Sequence, residues 1–108
     1  MEIKIHQQNG FNIAEVLSDK IIIETVQDSL DLMADADYRS ARKIIIHQKN
    51  IHPDFFKLRT GLAGEILQKY VNYRVQLAII GDFSKYQSKP LHDFIGECNR
   101  GNYRFIER

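Results

Sequence analysis

Polar and apolar residues alternate at the start of the chain. Ile3 and Ile5 lie between Glu2, Lys4 and His6, and a second run follows with Phe11, Ile13 and Val16-Leu17. This period of two predicts strands over residues 2–7 and 11–17. Asn9-Gly10 separates them. Both residues tolerate positive φ, so the two runs read as a hairpin, which needs a further strand to be stable. Ser18-Asp19-Lys20 breaks the alternation.

The period then lengthens. Ile23, Val26, Leu30 and Met33 recur at helical spacing, with Gln27, Asp28, Asp31 and Asp35 opposite, which predicts a helix over about residues 24–37. Thr25 and Asp28 make a capping-box pair at its start, with Asp19 as a rival start. Asp37–Ser40 reads as a loop. Lys43–His47 and Val75–Ile80 are continuous aliphatic runs, read as parallel strands buried on both faces. The segment between them is long enough for a crossover helix. Within it, Leu62, Ile66 and Tyr70 form a stripe beside Ala63, Leu67 and Val71, and Glu65 and Lys69 form an outward pair. Gly81-Asp82 ends the second run. Ser88 caps a third helix with Pro90 in its first turn, an apolar face of Leu91, Phe94, Ile95 and Cys98, and a stop at Gly101. Asn102–Glu107 reads as a last strand. The order is β-β-α-β-α-β-α-β, a single α/β (mixed α+β) domain over residues 1–108. Its mixed sheet should have four to five strands, with helices mainly on one face.

Composition narrows the picture. A chain of 108 residues can bury roughly two-thirds of its unfolded surface in one domain. Net charge is +1 with Lys and Arg dispersed, so no basic face marks a nucleic-acid partner. The runs Ile21–Ile23 and Ile44–Ile46 are too short to span a bilayer, and the start lacks the apolar core of a signal peptide, so no membrane partner is expected. The single cysteine, Cys98, excludes an internal disulfide and points to a reducing cytoplasm.

Candidate chemistry is sparse. His6, His47, His52 and His92 show no i,i+4 pairing and no cysteine partner, so neither a metal nor another cofactor is expected. Cys98 sits on an apolar stripe and reads as a packed thiol. There is no Gly-x-Ser-x-Gly elbow, and Gly61-x-x-Gly64 is too short for a phosphate-binding loop. Leu58–Gly64 should open the central helix. Thr60 reads first as its N-cap. Its second reading is an anion site or phosphate acceptor, favoured by the helix N-terminus, by the Arg59 donors and by Gly61. His47, Asp82 and Ser84 follow strand C-termini, where ligands gather in open α/β sheets, although Asp82 also suits a plain turn. Phe55 and Phe56 are adjacent. Either one seals the core while the other packs beneath the loop, or Phe55 is exposed and anchors a partner.

Thr60-Gly61-Leu62-Ala63-Gly64, together with the strand order, resembles the STAS fold of bacterial anti-sigma-factor antagonists and sulfate-transporter tails. In the antagonists, a Ser or Thr before Gly-Leu-Gly is phosphorylated by a partner kinase, and this switches partner binding. Thr60 stands at that acceptor position. Leu58-Arg59 replaces the usual Asp-Ser, the loop after His47 is longer, and the final helix of that fold is missing. Val26–Met33 and Gly81–Tyr86 resemble, over most of the chain, a small bacterial family known as domain of unknown function 4180, which implies no activity. These readings favour a non-catalytic regulatory or protein-interaction module with a protein partner, switched at Thr60. The alternatives are a small-molecule or lipid binder at the polar strand edge, or a small enzyme. The C-terminal edge strand leaves a homodimer open.

Overall fold

Strands β1 (Glu2–Gln8) and β2 (Phe11–Leu17) pair antiparallel across Asn9 and Gly10, whose φ angles of 54° and 82° are those of a tight two-residue turn. The turn fixes the register: Gln8 faces Phe11, His6 faces Ile13 and Lys4 faces Glu15. The structure, a computed structural model, describes residues 1–101 and 103–108. Strands β3 (Ala41–His47), β4 (Gln76–Gly81) and β5 (Tyr103–Glu107) follow parallel to β2, giving a five-stranded sheet in the order β1-β2-β3-β4-β5. The Asn102 start expected for the last strand lies outside the described residues.

Sequence order equals spatial order, so each crossover advances the sheet in the same direction. Right-handed crossovers then carry α1 (Val26–Tyr38), α2 (Leu62–Tyr73) and α3 (Lys89–Asn99) to one face. Ala14, Val16, Ile44, Ile46, Leu77, Ile79 and Phe105 form the core under these helices. The alternate positions, among them Phe11, Ile13, Glu15, Ile45, His47, Ala78, Ile80 and Ile106, line the other face, outside that core cluster. The expectation that Lys43–His47 is buried on both faces is therefore corrected. Ile44 and Ile46 are buried, whereas Lys43, Ile45 and His47 keep partial exposure.

The first helix starts as its capping box dictates. Thr25 Oγ1 accepts from Asp28 N–H at 3.2 Å, and Asp28 Oδ2 accepts from Thr25 N–H at 2.9 Å. The buried face is nevertheless Ser29, Leu32, Met33 and Ala36. Ile23 precedes the helix and forms a lone parallel bridge to Ile51. The helix also runs through Tyr38, and β3 begins at Ala41, so the expected Asp37–Ser40 loop shrinks to Arg39 and Ser40.

The segment between β3 and α2 is three short 3-10 turns, Gln48–Asn50, Pro53–Phe56 and Leu58–Thr60. Asn50 is fully buried. Its Nδ2 donates to the carbonyls of Ser18 and Lys20, and its own carbonyl accepts from Ile22 and Ile23 N–H, so it fastens the 18–23 loop to the sheet. Phe55 is 2% exposed and Phe56 4%. Both enter one aromatic cluster: Phe56 stacks on Tyr86 at 5.2 Å between centroids, and Phe83 meets Phe105 edge-on at 5.4 Å. Phe55 as an exposed partner anchor is thereby corrected, because adjacent residues on a 3-10 turn can reach two sides of one core.

Candidate functional site

Thr60 is not the helix cap. Gly61 holds that position with φ of 75°, and α2 begins at Leu62. The Thr60 hydroxyl donates toward the carbonyls of Asp54 at 2.7 Å and Lys57 at 2.9 Å and accepts from Leu62 N–H at 3.2 Å. It clamps the last two 3-10 turns onto the helix start. Arg59, Thr60 and Gly61 are exposed, and Arg59 borders a shallow depression with Phe56, Tyr86 and Ser88 that includes neither His47 nor Asp82.

The C-terminal edge of β3–β5 is occupied by its own side chains. Gln48 Nε2 donates to the Tyr86 hydroxyl at 2.6 Å, and Gln48 Oε1 accepts from Asp82 N–H at 3.0 Å. Glu107 accepts from Phe83 and Ser84 N–H. Asp82 accepts from the Ser84 hydroxyl and N–H, contacts that hold its carboxyl below the ordinary range. Asp82 and Ser84 therefore meet each other, as turn chemistry, and His47 is not among their hydrogen-bond partners.

His47 points to the uncovered face and meets Glu15. Its Nε2 lies 3.1 Å from Glu15 Oε2, and His6 Nε2 lies 2.8 Å from Glu15 Oε1. With the carboxylate accepting, both imidazoles donate through Nε2. The His6 bond, followed by that of His47, lowers the Glu15 pKa despite an opposing burial effect. Among the described residues, no group of three or more His, Cys, Asp or Glu side chains is placed to hold a metal ion. No described helix is long and apolar enough to cross a membrane.

At the opposite, N-terminal end of β2–β4 lies a cleft of about 810 Å³. Phe11 and Ile13 form its apolar wall, Gln7, Gln8, Asn12 and Gln76 supply amides, and Arg42, Lys43 and Arg74 supply three cations. No acidic residue lines it. Local structure places each cation. A register shift between Asn12 and Ile13 leaves Arg42 as an extra residue of β3, and such bulges re-aim side chains. Arg74 is the C-cap of α2 at φ 58°, a left-handed position usually held by glycine. Ser40 takes φ of 60° just before β3. Asn9, Ser40 and Arg74 are the non-glycine residues at positive φ among the described residues, and all three line this cleft. Arg42 Nη1 donates to the Tyr73 carbonyl at 3.2 Å, and its Nη2 lies 3.9 Å from Asp37 Oδ1 at the end of α1, which together steady it.

Sequence reasoning missed Glu15, His6 and the whole cleft. The His6–Glu15 diagonal was readable, since an Asn9-Gly10 turn places Lys4 opposite Glu15 and so His6 one step away. The parallel register that brings His47 to Glu15 has no local signal, and neither does the positive φ of Ser40 or Arg74.

Residues 8–108 match the sequence profile of a family described as Domain of unknown function (DUF4180). No curated protein and no solved structure matches the chain.

Proposed function

The chain belongs to the family described as Domain of unknown function (DUF4180), and from that premise we propose that it is a non-catalytic regulatory module whose input is a small organic anion bound in the N-terminal cleft. One observation carries the reading. Arg42, Lys43 and Arg74 line one cleft together with every described non-glycine residue at positive φ; its lining holds no carboxylate, and Arg42 alone also reaches one, Asp37 at 3.9 Å. The hairpin turn accounts for Asn9, whereas Ser40 and Arg74 hold left-handed backbone at about 1–2 kcal/mol each, and such outliers cluster at functional sites. Lys43 and Arg74 have no ion pair among the described residues, so an anion between them would be attracted by both. The C-terminal edge, where ligands of open α/β sheets more often sit, is filled here by Gln48, Tyr86 and Glu107.

Thr60 is the weaker input. Its hydroxyl is engaged by two backbone carbonyls, so phosphorylation would have to break the clamp before any partner could read it. The STAS-like reading rests on the strand order and on Thr60-Gly61-Leu62.

The test is thermal unfolding at constant ionic strength with rising phosphate or an organic phosphate. A ligand that binds only the folded chain raises the melting temperature in proportion to ln(1 + [L]/Kd). Wild type should gain stability, and Arg42→Ala/Lys43→Ala/Arg74→Ala should not. Equal gains in both would refute the reading.

A further inference from the structure

Resting on that reading, we infer that the cleft takes a nucleoside monophosphate, its ring against Phe11 and its phosphate on Arg74, beside an Arg42 whose guanidinium is already engaged by the Tyr73 carbonyl and Asp37. The volume is the first argument. About 810 Å³ falls in the range of sites for drug-sized ligands, roughly 300–1,000 Å³, and is far more than an inorganic anion fills.

Phe11 is the second. It is 73% exposed, whereas Phe55, Phe56, Phe83 and Phe105 are buried, and it lies at the start of β2 beside the hairpin turn. A hydrophobic ring there does nothing for the core, from which the core cluster also omits it. It stands free to stack on a planar ligand, and such stacking works with any base because every base has a π-face. Ile13 extends the apolar wall.

The spacing is the third. Phe11 belongs to β2, and Gln76, with Arg74 just before it, belongs to β4. The two strands flank β3, so they lie about 10 Å apart at roughly 4.8 Å per strand. A ligand that bridges Phe11 on β2 and Arg74 beside β4 is best served by a ring and an anionic group joined through a spacer. A ribose between base and phosphate supplies one. Lys43, on the strand between, faces the spacer region, and Gln76 offers an amide that can both donate and accept. Arginine suits the phosphate end because its planar fork bonds phosphate oxygens in pairs.

The experiment is isothermal titration of the full chain with adenosine monophosphate, uridine monophosphate, adenosine and inorganic phosphate at one ionic strength. Stacking should make both monophosphates bind about tenfold more tightly than phosphate alone. Phe11→Ala should remove that advantage and leave phosphate binding unchanged, whereas Arg74→Ala should weaken both. Phe11→Leu, which keeps an apolar side chain without the aromatic face, separates stacking from mere contact, and melting curves establish that each variant is folded. Monophosphates that bind no more tightly than phosphate, or that are indifferent to Phe11→Ala, would overturn the inference and leave the anion reading standing. Failure of every phosphate compound to bind would remove both.

Discussion

His47 Nε2 lies 3.1 Å from Glu15 Oε2 across the β2–β3 pair, and the second oxygen of the same carboxylate receives His6. One carboxylate thus cross-links three strands on the uncovered face. Its folded pKa lies below the ordinary 4.5. The stabilisation it gives is therefore present in full above that value and is lost as pH falls through the lower folded value. The difference in melting temperature between wild type and Glu15→Gln should shrink as pH drops below 4.5. A difference that stays constant down to pH 2 to 3 would count against the bonded carboxylate.

Gly81 is held small by Gln48. A Cβ placed on Gly81 would sit 2.5 Å from Gln48 Cβ and from Gln48 Oε1. Gly81→Ala should lose about 1–3 kcal/mol of stability by overpacking. Gln48→Gly on the same chain should recover part of it, which a double-mutant cycle by urea denaturation measures. Additive losses would mean that the two residues do not meet.

Thr60 acts as a clamp in the folded chain. Thr60→Ala removes bonds to Asp54, Lys57 and Leu62 and should cost about 1 kcal/mol. Thr60→Ser keeps the hydroxyl and should restore most of that loss. Equal stabilities of the Ala and Ser variants in denaturant titrations would contradict the clamp.

Burial, with a smaller contribution from Glu97, pushes the Cys98 thiol up to about 11. The thiolate is the reactive species. Labelling of the folded chain by a disulfide reagent at pH 8 should therefore be slower than in denaturant by more than tenfold. Equal rates would show an accessible, ordinary thiol.

Element order was legible because each boundary had a local chemical cause: Asn9-Gly10 for the hairpin, the Thr25–Asp28 box for α1, Ser88 and Pro90 for α3. The face of α1 was legible through Ile23, Val26, Leu30 and Met33, which pack on the core, but its most buried positions also include Ser29, Leu32 and Ala36. Ser29, beside Tyr70, and Ala36 are small enough to be fully buried, whereas Leu30 stays only partly covered. Long-range placement was not legible. Phe55 and Phe56 find a common aromatic cluster only once the loop between β4 and α3, with Phe83 and Tyr86, and β5, with Phe105, are in place. Arg42 and Arg74 reach one cleft through a bulge and a left-handed cap that neither residue type demands.

The cleft is tested most directly by recording amide chemical-shift changes in the labelled full chain as adenosine monophosphate is added. The account predicts saturable shifts concentrated at Gly10, Phe11, Ser40, Lys43, Arg74 and Gln76, with the amides of Gln48, Asp82 and Ser84 unmoved. Shifts gathered at that opposite edge, or none at saturating ligand, would contradict it.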